Sequence, residues 1–145
     1  AVLVMFESSL IALLEADAEL QLLLSELSGR PAIFSSAAPQ EAELPYVVLD
    51  IRKTATLNLP VAAFDIDIDI YNRKLSGTET REIAERIEFV CDRTVISNDA
   101  RFDTIRLSYE DGDEVENPNI DVRHYNCRLS ARAGRKKWIE ETISR

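Results

Sequence analysis

A chain of 145 residues, 46% hydrophobic and 30% charged, has the size and make-up of one folded domain, which excludes wholesale disorder and leaves no room for a second large core. Its formal net charge of -9 makes the average surface repel a phosphate backbone and argues against general nucleic-acid binding. Two cysteines, Cys91 and Cys127, with no CxxC spacing and no Cys/His cluster around them, read as buried free thiols and fit a reducing compartment.

The opening "AVLVMFESSLIALL" is apolar, but Glu7, Ser8 and Ser9 interrupt it and no Lys or Arg precedes it, so neither a signal peptide nor a membrane span is expected. Phe6, Leu10, Leu13 and Leu14 recur at helical spacing, which returns at Leu20, Leu23, Leu24 and Leu27. The chain therefore opens with a helix in two pieces, Asp17 capping the second and Gly29 with Pro31 marking its end. Residues 30–45, with Pro39 and Pro45, read as a loop before the β-rich "YVVLDIRK". The turn-rich "TATLNLP" separates that run from "VAAFDIDIDIYNR", which predicts an antiparallel hairpin. In "SGTETREIAERIEFVCD", Ser76 and Glu79 have capping-box spacing, and Ile83, Ile87, Val90 and Cys91 form the stripe of an amphipathic helix. "FDTIRLSYE" and "NIDVRHYNCRLSARA" alternate as strands, with the acidic "DGDEVENPN" between them as a hairpin tip. The expected fold class is α+β: a four-stranded antiparallel sheet of two hairpins, with the N-terminal and central helices packed on one face. It forms a single domain over residues 1–133, followed by a basic extension at 134–145.

Strand alternation in "FDIDIDIYNRK" sets Asp65, Asp67 and Asp69 on one face and Phe64, Ile66, Ile68 and Ile70 on the other. Successive carboxylates then stand about 7 Å apart, too far for one strand's aspartates to converge on an ion. An EF-hand loop needs Gly at its sixth place and Glu at its twelfth, where this chain has Ile70 and Ser76. Two readings of the carboxylates stay open: pairing with a polar strand face such as His124, Asn126, Arg128, Ser130 and Arg132, or lining a wet surface used in assembly. His124 and Cys127 stand three apart on a strand and so point to opposite faces, which excludes a base and nucleophile pair. No GxxxxGK[ST] or GxGxxG phosphate loop is present, and no metal or cofactor site is expected. Asp111, Asp113, Glu114 and Glu116 read as a solvated tip. In the tail "GRKKWIEETISR", Arg135, Lys136 and Lys137 concentrate positive charge beside Trp138, a combination suited to contact with another subunit or partner.

The leucine-rich "LIALLEADAELQLLLSELSGRPAIF", then "APQEAELPYVVLD", "FDIDIDIYNR" before a helix, and the closing "DVRHYNCRLSARA" together resemble the tail completion, or tail terminator, proteins of long-tailed phages, prophages and gene transfer agents. The acidic tip near Asp113 and the "RKKWIEETISR" extension depart from that pattern. The resemblance implies a non-enzymatic virion protein, assembled in the host cytoplasm. It would form a ring, usually of six copies, that stops growth of the tail tube and joins tail to head. The implied partners are further copies of itself, the tail tube protein and a head-tail connector or stopper, with DNA passing through the channel without specific binding. On that reading Asp65, Asp67 and Asp69 would line the channel. The alternatives are another neck ring, or a metal-dependent hydrolase built on the acidic strand.

Overall fold

The computed structural model describes residues 6–58 and 61–135. Helix α1 (Glu7–Glu15) and helix α2 (Ala18–Leu23) meet at Asp17, whose carboxylate accepts from the Leu20 backbone N–H at 3.0 Å. This N-cap satisfies an amide that the first helical turn leaves without a partner. The same carboxylate takes two hydrogen bonds from Arg86 at 2.8 and 2.6 Å, which ties the helix junction to α3 (Gly77–Cys91). Charge-assisted donation from that guanidinium holds the Asp17 carboxyl below its ordinary value.

Beyond α2 the chain makes a small hairpin, β1 (Glu26–Leu27) against β2 (Arg30–Pro31). Ser28 and Gly29 turn it with φ of 55° and 77°, the paired left-handed residues that suit a tight two-residue connection. Six further strands form one sheet: β3 (Ile33–Ser35), β4 (Tyr46–Asn58), β5 (Val61–Arg73), β6 (Val95–Ile96), β7 (Phe102–Val115) and β8 (Val122–Arg135). Their order across the sheet is β3-β4-β5-β8-β7-β6, with β3 parallel to β4 and every other pair antiparallel.

This corrects the expected four-stranded antiparallel sheet of two hairpins with helices on one face. Among the described residues strand far outweighs helix, and the large sheet is six-stranded and mixed, with a separate two-stranded one. Residues 30–45, expected as loop, contribute β2 and β3, and β6 follows the central helix. The acidic tip also shrinks, because β7 runs on to Val115 and places Asp111, Asp113 and Glu114 within the strand. Ser76 stands at the start of α3 without a side-chain capping bond; instead Thr80 Oγ1 donates to the Ser76 carbonyl at 2.7 Å.

The core lies between the apolar face of the long strands and the helices. Phe64, Ile66, Ile68 and Ile70 of β5 are buried with Leu10 and Leu14 of α1 and Ile83 and Ile87 of α3. Phe6, Phe64 and Phe102 meet edge to face at centroid distances of 5.1 to 6.0 Å, the arrangement that ring quadrupoles favour. Each fully buried large aliphatic side chain contributes about 1.5–3 kcal/mol relative to exposure.

Candidate functional site

The register of β4, β5 and β8 lays out the polar side of the sheet. Asp65 stands between Arg52 and Ser130, Asp67 between Asp50 and Arg128, Asp69 between Val48 and Asn126, and Tyr71 between Tyr46 and His124. Opposite residues are not always the bonded ones. Arg52 Nη2 reaches diagonally to Asp67 at 3.0 Å, and His124 Nε2 lies 2.7 Å from Asp69 Oδ1. Asn126 Nδ2 donates to Asp69 Oδ1 at 2.9 Å and to Asp67 Oδ1 at 3.3 Å, bridging both carboxylates from a nearly buried position. Arg128 turns away to Asp111, with Nε to Oδ1 at 2.5 Å, and also donates to Asn126 Oδ1 at 3.3 Å. That guanidinium holds the Asp111 carboxyl below its ordinary value, and Asp111 in turn raises Arg128.

One end of this face is aromatic. Tyr71 stacks on His124 at 4.4 Å and 17°, and Tyr46 lies 5.3 Å from Tyr71 on its other side. Partial burial pushes the Tyr71 phenol up, reinforced by the charge of Asp69. Asp69, bonded to His124 of this stack, is partly buried, whereas Asp65 is exposed and, among the described residues, has no ion pair or side-chain hydrogen bond. Among the described residues no group of three or more His, Cys, Asp or Glu is placed to hold a metal ion. Cys127 faces the core from the strand that carries His124, and burial pushes its thiol up to about 12, which leaves no thiolate beside the imidazole.

What this face offers is a fixed, hydrogen-bonded, mainly acidic surface carried by long strands. The family model described as Tail completion protein gp17 matches residues 8–134. This chain belongs to that family. As a tail completion protein it is a structural protein of the phage tail and has its place in the virion. Its fold is similar to that of a chain in a solved structure titled "Virion of native gene transfer agent (GTA) particle", with a TM-score of 0.71 and 18% identity over 88% of this chain and 93% of that one. No curated protein matches the sequence.

In this tail completion protein the three aspartates singled out by alternation share one face but not one environment, graded from Asp65 outward to Asp69 inward. Arg52, Tyr46 and Tyr71 were not singled out by sequence reasoning, which named His124 as one of a polar strand face. The signal was present in the parity of Tyr46 and Tyr71, which are out of phase with their apolar neighbours, but only the register shows that they meet. Lys136, Lys137 and Trp138 lie outside the described residues, as does the side chain of Arg135.

Proposed function

We propose that this tail completion protein is a tail terminator: a ring of copies, six by the usual form of such proteins, at the head-proximal end of the tail tube. There it stops addition of tube subunits and provides the seat for the head's connector or stopper protein. Membership of the tail completion family over residues 8–134 carries this reading. The sheet face with Asp65, Asp67 and Asp69 forms the channel wall in this proposal. Its acidic excess, fixed by Arg52, Asn126 and His124, repels phosphate and lets DNA pass without adhering.

Electron microscopy of particles from a producer strain lacking this gene tests the role. Filled heads beside unjoined tails of uncontrolled length are the expected result, and normal joined particles would overturn it. The lining is tested separately by replacing Asp65, Asp67 and Asp69 together with Asn. Joined particles with altered DNA delivery are expected. Unaltered delivery would remove the lining role.

A further inference from the structure

The large sheet is open at both sides, and its two flanking long strands, β4 and β7, are only half covered by the short outer strands β3 and β6. On β4, β3 pairs with Val47, Val48 and Leu49, and among the described residues nothing pairs with the outer edge from Asp50 onward. On β7, β6 pairs with Ile105 and Arg106, the Thr94 carbonyl takes the Leu107 N–H, and Asp92 takes the Tyr109 N–H at 3.0 Å. Among the described residues the outer edge of β7 from Glu110 to Val115 is likewise unpaired. Such edges carry rows of unused backbone donors and acceptors and template pairing with another chain.

The two edges differ in charge. The β4 edge carries exposed Arg52 and Lys53 against one acid, Asp50, whereas on the β7 edge Asp111 and Glu114 are paired with Arg128 and Arg123 and leave exposed Glu110 and Asp113 with no Arg or Lys partner among the described residues. They also match in direction. β4 is antiparallel to β5, β5 to β8, and β8 to β7, so β7 of a neighbour placed beside β4 by continuing the sheet runs antiparallel to it, the favourable ladder. We propose, resting on the ring reading above, that copies of this chain join head to tail by pairing the Asp50–Asn58 edge of β4 with the Glu110–Val115 edge of the next copy's β7. A joint between two different patches closes into a ring or runs on as a filament, and it cannot stop at a two-fold dimer. The two uncovered halves lie at opposite ends of the sheet, because β3 covers β4 near Val47 and β6 covers β7 near Ile105. Neighbours are therefore staggered along the strands, and closure requires the strands to tilt from the ring axis, as in a barrel.

Charge reversal tests this in the deletion strain complemented with full-length variants, read as joined particles by electron microscopy. Arg52→Glu with Lys53→Glu sets acid against acid and should reduce joined particles about a hundredfold; Glu110→Lys with Asp113→Lys does the same with bases. Supplying both variants together should restore joining, because every joint in an alternating ring is again complementary, and one chain carrying all four changes should also restore it. Full activity of either variant alone, or no rescue by the mixture when both variants fold by circular dichroism, would overturn the proposal. Should a reversal unfold the chain, Lys53→Cys with Asp113→Cys in one chain decides the matter. A flexible bifunctional thiol reagent applied to assembled particles should give a denaturant-resistant ladder beyond the dimer, and its absence would overturn the joint. A deletion strain with normal particles would instead refute the terminator role, whatever these variants do.

Discussion

The two faces of β5 are made by the same alternation, yet they obey different rules. On one face Phe64, Ile66, Ile68 and Ile70 are all buried to within a few per cent, and their partners are interchangeable hydrocarbon from helices and neighbouring strands. On the other face each carboxylate has its own circumstances. The Asp67 side chain is 25% exposed and shared between Arg52 and Asn126, the Asp69 side chain is 22% exposed and held by His124 and Asn126, and Asp65 is open to solvent. Burial on the apolar side is collective, whereas the polar side depends on individual directed bonds. Loss of an apolar group should therefore be felt by the whole fold, and loss of a carboxylate only in proportion to the partners it leaves behind.

The sharpest contrast should come from chemistry at the buried thiols. Burial pushes the Cys91 and Cys127 thiols up to about 12, so at mildly alkaline pH both stay protonated and a thiol reagent should meet almost no thiolate. Absorbance at a thiol-reporting wavelength should stay flat in the native protein and rise only in denaturant. Next, Ile68→Ala should destabilise the chain by about 2–5 kcal/mol in urea unfolding, because the closed core relaxes little around the lost atoms. Asp69→Ala removes the acceptor of both His124 and Asn126 and should cost about 1–3 kcal/mol, toward the lower end because the group is partly wet. If Asp69→Ala matched Ile68→Ala, the proposed difference between the faces would fail. Asp65→Asn should change stability by less than about 0.5 kcal/mol.

The smallest expected effect belongs to Asp111, whose folded-state carboxyl lies below its ordinary 3.8 because of Arg128. A carboxyl lowered by folding adds stability that is complete above the ordinary value and is lost as pH falls through the lowered one. Asp111→Asn should accordingly leave neutral stability nearly unchanged and slightly reduce the acid sensitivity below pH 3.8 in thermal melts.

Long periodic stretches were the legible part of the fold. Runs such as "FDIDIDIYNR" and "REIAERIEFVC" repeat their period often enough to declare strand and helix, and Asp17 signals a cap that the structure forms. Two- and three-residue strands such as β1, β3 and β6 complete no period, so they are set by tertiary pairing that local pattern cannot carry. The acidic run after Tyr109 misled for a different reason. Its Asp and Gly residues have turn chemistry, but Arg128 and Arg123 on β8 neutralise two of its acids and allow the ladder to continue. At the candidate site, alternation revealed which aspartates share a face. It could not reveal that Arg52 and His124 bond diagonally, because diagonal reach depends on register and sheet twist.

The place of β8 carries one more consequence. It is the latest of the described strands to leave the ribosome, yet it lies in the interior of the sheet, paired from Val122 to Gly134 with β5 on one side and along most of its length with β7 on the other. Until residues 122–135 have emerged, β5 and β7 are left with bare inner flanks, and side-chain packing against the helices, without strand pairing, spans the gap between the β3-β4-β5 and β7-β6 parts of the sheet. Closure of the sheet thus waits for synthesis through Arg135, and a nascent chain short of that residue lacks the strand that lies between β5 and β7.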